Sequence, residues 1–221
     1  MSGESPEYYK TLTVKQAKEL AQHGEEGDFL VLDRVTTLSH EAAKELAKHQ
    51  GDLWLRGLTK LSHDAAKALA RYAGSLHLDG LTNVSDDVAK ALSKHNNILS
   101  LKGLTKLSDE AAKALAQHKG GLSFDGLTKL SDEAAQALSQ HEYSLGLNGL
   151  TTLSDEAAKA LARCKCDLWL RGLNKLSDEA SQALSQHKRK LYLDGLTTLS
   201  TEAAKALRSH PKISLPTKFK R

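Results

Sequence analysis

An α/β solenoid, an arc or horseshoe with a parallel β-sheet on its concave face and short α-helices on its convex face, is the fold class this sequence predicts. Three observations carry it. A 23-residue block recurs with an LxL signal at Leu30, Leu53, Leu76, Leu99, Leu122, Leu145, Leu168 and Leu191, and a shorter echo stands at Ile213. Each block opens on the period-2 alternation of a short strand. Each then carries an apolar stripe at helical spacing. Repeats of this length bury their apolar faces only by stacking on their neighbours, so residues one block apart become lateral neighbours in the fold.

One block, LSLKGLTKLSDEAAKALAQHKGG from Leu99 to Gly121, shows the logic. Leu99 and Leu101 point one way, Ser100 and Lys102 the other. Gly103 turns the chain, and Leu104 and Leu107 anchor the connection. Ser108 stands at a helix N-cap, with Asp109 and Glu110 in the first turn where the helix dipole favours acids. Leu107, Ala111, Ala114, Leu115 and His118 then share one face over about ten residues, a length that depends on packing for its stability. The segment KGG is expected to end the helix through a left-handed glycine. Parallel strands sit about 4.8 Å apart and helices about 8 to 10 Å apart, so the stack bends with its strands inside. Small residues such as Ala112 and Ala116 bring the helices close and soften that bend.

These blocks resemble the leucine-rich repeat family, and the helical half, DEAAKALAQ, is similar to bacterial repeats of the GALA type. The resemblance runs from Leu12 to Leu215. It implies an arc that recognises other macromolecules on its strand face. Where the family pattern LxxLxLxxNxL has an Asn ladder, this chain reads LxLxGLTxL with Gly57, Gly80, Gly103, Gly126, Gly149, Gly172 and Gly195, which leaves the turn's hydrogen bonding to another device.

The domain reading is a capping helix region over 1–29, the solenoid over 30–212, and a terminal strand with a basic tail over 213–221. Thr11 to His23 reads as a helix half without its own strand, with GEE lengthening the spacing that follows. Pro216 and the neighbouring lysines blunt the exposed sheet edge. The net charge of +4 comes mainly from scattered lysines, without the stripe that grips phosphates, so no specific nucleic-acid partner is expected. No apolar stretch approaches the roughly 20 residues of a membrane span. The polar opening MSGESPEYYK lacks the core of a secretory signal, and the expectation is a soluble cytoplasmic protein, with non-cleaved secretion left open. Cys164 and Cys166 are too few for a disulfide framework and read as loop positions, with a redox pair as the alternative.

Function is sought where blocks vary on the open strand face. One row runs Val31, Trp54, His77, Ser100, Ser123, Gly146, Trp169, Tyr192 and Ser214. A second runs Asp33, Arg56, Asp79, Lys102, Asp125, Asn148, Arg171 and Asp194. The second row alternates in sign over its first five members, which suits cross-strand pairing. The candidate partner-binding residues are Trp54, Arg56, His77, Asp79, Ser100, Lys102, Ser123, Asp125, Trp169, Arg171, Tyr192 and Asp194. Trp, Tyr and Arg dominate binding hot spots. The two tryptophans flank a floor of small residues roughly 24 Å across. The rings equally suit lying flat over the sheet or meeting a neighbouring molecule.

The expected function is therefore a non-enzymatic scaffold for an unknown protein or peptide, with a carbohydrate or surface polymer as the alternative ligand. No cofactor is expected. His23, His49, His95, His118, His141, His187 and His210, with Tyr72 and Cys164 in the same column, are read as inward residues donating to carbonyls near helix ends. His141, Cys164 and His187 make a poor zinc set. The trio His77, Asp79 and Ser100 lacks a nucleophile elbow or oxyanion loop.

Overall fold

The computed structural model describes residues 10–22 and 29–220. Helices and strands alternate: α1 (Val14–Gln22), β1 (Phe29–Val31), α2 (His40–Leu46), β2 (Asp52–Trp54), α3 (His63–Leu69), β3 (Leu76–His77), α4 (Asp86–Leu92), β4 (Leu99–Ser100), α5 (Asp109–Leu115), β5 (Leu122–Ser123), α6 (Asp132–Leu138), β6 (Leu145–Gly146), α7 (Asp155–Leu161), β7 (Leu168–Trp169), α8 (Asp178–Ser185), β8 (Leu191–Tyr192), α9 (Thr201–Arg208) and β9 (Ile213–Ser214). Among the described residues the nine strands form one parallel sheet in chain order. The register is that of the repeat: Leu99 lies opposite Leu122 and Ser100 opposite Ser123. His23 and the GEE insertion lie outside the described residues, as do the first nine residues.

Each strand is short because only its two leucines need to be held. Leu99 donates to the Gly121 carbonyl at 2.8 Å and Leu101 to the Ser123 carbonyl at 2.9 Å, so every block hangs on the next. The leucines point inward, and Leu99, Leu101, Leu104 and Leu115 are fully buried. Each such side chain contributes about 1.5 to 3 kcal/mol by leaving water. Phe124 takes a leucine position and is fully buried as well.

The helix start follows the capping logic and adds a lateral link. Ser131 Oγ accepts from the Ala134 amide at 3.1 Å and donates to Asp109 Oδ1 of the preceding helix at 2.6 Å. The same bond runs Ser108 to Asp86, Ser154 to Asp132, Ser177 to Asp155 and Ser200 to Asp178. One acidic residue thus serves its own helix dipole and the next block's cap.

The helix end differs from expectation. Helix α5 has seven residues, shorter than the ten expected, and its C-cap Ala116 keeps a right-handed conformation. The Gln117 and His118 amides then reach back three residues, to Ala114 and Leu115, tightening the last turn. Gly51 is the glycine with a positive φ among the described residues. Gly120 therefore does not supply a left-handed cap; a Cβ there would lie 2.1 Å from the Asn97 carbonyl oxygen, so close stacking of loops requires it.

Close stacking also explains the turn glycine. A Cβ on Gly103 would lie 2.1 Å from the Asp79 carbonyl oxygen, one block earlier. The role of an Asn ladder passes to the second open-face row. Asp79 Oδ1 accepts from the Lys102 amide at 3.0 Å, Asp125 Oδ1 from Asn148 at 3.0 Å, and Asn148 Oδ1 from Arg171 at 3.2 Å. Asp33 does the same for Arg56 at 3.2 Å.

At the N-terminal end Thr11 bridges Thr37, and Ala17 of α1 is fully buried. At the other end Pro216 opens a single 3-10 turn, Thr217–Phe219, beside the last strand.

Candidate functional site

Successive open-face residues along a parallel stack form rows across the sheet, and the structure contains three. The two read from the sequence are joined by a third, the residue before each LxL: Phe29, Asp52, Ser75, Ile98, Gly121, Ser144, Asp167, Lys190 and Lys212. Sequence reasoning missed this row. The signal was present, because period 2 places it on the same face as the other two. It matters because Phe29 and Ile98 are exposed apolar side chains, 69% and 48% accessible.

The twelve candidate residues share this face but fall into two clusters and a connecting floor. In the first cluster the Trp54 ring sits between neighbours, with His77 at 4.7 Å and Phe29 at 6.3 Å between centroids. The Arg56 guanidinium lies 4.4 Å from the Trp54 centroid and is hydrogen-bonded to Asp33. That bond holds the guanidinium above its ordinary pKa. Burial pushes the His77 imidazole down, against the opposing pull of Asp79 and Asp52. In the second cluster Trp169 and Tyr192 stack with centroids 5.2 Å apart and planes 2° from parallel. Arg171 lies 5.0 Å from the Tyr192 ring and pairs with Asp194 at 3.3 Å. Both tryptophans are half-buried, neither interred nor lying free.

Between the clusters, Ser100, Ser123 and Gly146 make the floor. Lys102 pairs with Asp125 at 3.9 Å. Asp125 also receives the Asn148 side-chain amide at 2.9 Å. These charges are joined to one another along the sheet, as alternation in sign suggests. Exposed pairs of this kind each contribute about 0 to 1 kcal/mol and chiefly fix register.

The arrangement of His77, Asp79 and Ser100 is not a relay. Ser100 Oγ donates directly to Asp79 Oδ1 at 2.5 Å, and no hydrogen bond joins it to His77 among the described residues.

The inward column is a structural device. Tyr72 donates to the Gly51 carbonyl at 2.7 Å, His118 Nε2 lies 2.7 Å from the Asn97 carbonyl, and His187 Nε2 lies 3.0 Å from that of Cys166. Each ring thus reaches back to the loop of the preceding block rather than to its own helix end. His187 Nδ1 also lies 3.2 Å from the Ala162 carbonyl, at the preceding helix end. Imidazoles of adjacent blocks stack, His95 on His118 at 5.7 Å and His118 on His141 at 6.5 Å. Burial drives the His118 pKa down to about 4. His95, His141, His187 and His210 are lowered for the same reason.

Cys164 and Cys166, read from the sequence as ordinary loop positions, are joined by a disulfide and buried. Cys164 therefore has no thiol to offer a metal beside His141 and His187. No group of three or more His, Cys, Asp or Glu among the described residues is arranged to hold a metal ion. No described helix is long and apolar enough to cross a membrane.

Nine parallel strands in one open sheet, each followed by a short helix or turn in the fixed register of the repeat, decide the fold. The chain is a leucine-rich-repeat-like α/β solenoid. No family model matches it, and no curated protein matches it. Among solved structures the solenoid is similar to a leucine-rich repeat protein of Leptospira interrogans, 16% identical, covering 83% of this chain and 78% of that one, with a TM-score of 0.22. It is also similar to an internalin of Listeria monocytogenes, 14% identical, covering 93% of this chain and 89% of that one, with a TM-score of 0.26. At these TM-scores neither likeness adds to what the sheet itself establishes.

Proposed function

We propose that the solenoid is a non-enzymatic scaffold that binds a protein or peptide partner on its open sheet face. One observation carries this reading: two aromatic–arginine clusters stand on a face whose backbone is already saturated by the block-to-block ladders. The fold does not need rings there, since most blocks place Ser, Gly or Val at the same position. Trp, Tyr and Arg held rigidly on a surface are what binding hot spots are made of. The repeat type, similar to bacterial GALA-type repeats, belongs to the same reading. A carbohydrate or surface polymer is the second reading, favoured by the stacked Trp169–Tyr192 pair, whose outer indole face suits packing against a sugar ring.

The test is selection of peptides from a random display library on the intact chain, run beside a glycan array. Peptides selected on the open face should lose at least about tenfold in affinity with Trp54→Ala or Trp169→Ala, since a hot-spot ring is worth about 2 kcal/mol or more. They should be indifferent to Lys113→Ala on the helix layer. Peptides indifferent to both ring variants refute the reading, and glycan capture without peptide capture replaces it with the second.

A further inference from the structure

The two tryptophans differ in one respect that gives the surface a directional site. The Trp54 ring has an aromatic neighbour on the strand to each side, Phe29 on β1 and His77 on β3. Trp169 stacks on Tyr192 on one side only. On its other side the middle row continues through Gly146, which has no side chain, and the next side chain in that row is Ser123. Two strand spacings, about 9.6 Å, thus separate the Trp169 position from Ser123. A ring held at van der Waals distance from both walls needs about 7 to 8 Å. A cavity of about 240 Å³ occupies this place, and Trp169, Gly146, Ser123, the exposed Ile98, Asp125 and Arg171 are among its lining residues. That is below the size of a drug-like ligand pocket and suits a single side chain.

Electrostatics selects the occupant. Asp125 Oδ1 is held by the Asn148 backbone and side-chain amides, and Oδ2 faces Lys102 at 3.9 Å. Asn148 Oδ1 is taken by the Arg171 amide, and the Arg171 guanidinium by Asp194. The charges beside the slot are each paired with a neighbour, so a charged group entering it must compete with a pair already formed as well as lose water. Among the described residues, a sugar would find two hydroxyls without a hydrogen-bonded neighbour, those of Ser123 and Ser144, beside an Asp125 Oδ2 and an Arg171 guanidinium already held in ion pairs. The apolar part of the lining is the indole face, the glycine floor and the isoleucine.

The larger hollows, such as the one of about 600 Å³ lined by Lys113, Glu133, Gln136 and Glu156, are troughs between successive helices or between the loops that precede them and follow from the repeat alone. The slot is aperiodic. Beside Asp79, Ser100 of the next block fills the equivalent place and bonds that carboxylate; beside Asp125, Gly146 vacates it, and Asn148 supplies the missing donor instead.

We propose that the slot between Trp169 and Ser123, over Gly146, receives one uncharged ring-bearing side chain of the partner, a proline or an aromatic residue, stacked on the free indole face. This rests on the open sheet being the partner surface. The test uses the intact ¹⁵N-labelled chain and four probes at millimolar concentration: N-acetylprolinamide, N-acetyltyrosinamide, N-acetylargininamide and methyl glucoside. The proline and tyrosine probes should shift the Trp169 indole and Gly146 amide signals saturably, leaving the Trp54 indole in place. Gly146→Val, whose Cβ would lie 3.1 Å from Asp125 Oδ1 and 3.2 Å from Ser123 Oγ, should fill the slot and abolish the shifts. Should that variant fail to fold, Trp169→Leu keeps an apolar wall without a stacking face and should have the same effect. Equal shifts from the arginine probe or the glucoside, movement centred on Trp54, or no saturable shift would each overturn the slot. Display-selected peptides that are lost with Trp54→Ala yet indifferent to Gly146→Val and Trp169→Leu would refute the slot while keeping the partner surface. Indifference to all face variants would sink both.

Discussion

Acid should unfold this solenoid through its inward column, and His118 shows how much. Its ring is 2% exposed, packed between His95 and His141, with the carbonyls of Asn97 and Ser93 as its polar surroundings and no carboxylate among the groups that shift it. Burial is the largest cause of its low pKa, about 4 against an ordinary 6.5, and the neighbouring imidazoles of His95 and His141 act in the same direction. The sign follows from proton counting. Below pH 6.5 the unfolded chain binds a proton that the folded chain refuses until about pH 4, so stability is full above 6.5, falls as pH drops through the window from 6.5 to 4, and levels off below it. At pH 5 the loss from His118 alone is about 2 kcal/mol, at about 1.36 kcal/mol per unit. The assay is urea unfolding at pH 7.5 and pH 5 for the native chain and His118→Gln, which keeps a donor for the Asn97 carbonyl but does not titrate. The variant should start lower at pH 7.5 and be spared that loss, about 2 kcal/mol, on acidification. An equal acid loss in both proteins, with a His118 proton resonance titrating near 6.5, would refute the reasoning.

Three further outcomes follow from the ladders. Ser131→Ala removes a cap from Ala134 and a lateral bond to Asp109 together, and should cost about 1 to 2 kcal/mol by chemical denaturation; no measurable cost would mean the lateral bond and cap are solvent-replaceable. Gly103→Ala should cost about 2 kcal/mol or more, or prevent folding, because its Cβ meets a carbonyl at 2.1 Å, whereas Gly→Ala at an unstrained open site stabilises by about 0.4 to 1 kcal/mol. Phe124→Leu matches the leucine of most other blocks, yet it should lower stability by about 1 kcal/mol in thermal unfolding, since a fully buried ring leaves a partly unfilled volume.

How much was legible in the sequence varied with the range of the interaction. Register was legible because a fixed period states which positions become neighbours, and Leu99 does lie opposite Leu122. Helix starts were legible because Ser108 with Asp109 is a local signal. The helix end was misread because the same residue, glycine, serves two physical purposes: a left-handed backbone, visible one chain at a time, and close approach to another block, visible only once Gly120 meets Asn97. The Asx row was read as charge pairing. Its second use, as side-chain acceptors for amides one block on, depends on which way a carboxylate rotates, and the one-dimensional pattern is silent on that. The cysteine count argues against a disulfide framework, and the Cys164–Cys166 bond needs none, since both residues lie within one loop.

The functional face shows the same division. Which residues share a surface was readable from period 2, and applying that period one step further would have recovered Phe29 and Ile98. Which of them are free was not readable. Arg56 and Arg171 look alike in the sequence, as do Trp54 and Trp169, but the ladders tie the charges to one another and the row neighbours cover Trp54. Specificity in a solenoid then comes less from the residues that depart from the repeat than from the gaps beside them. A ring becomes a platform only where the adjacent block contributes nothing, and Gly146 beside Trp169 is where this chain does so.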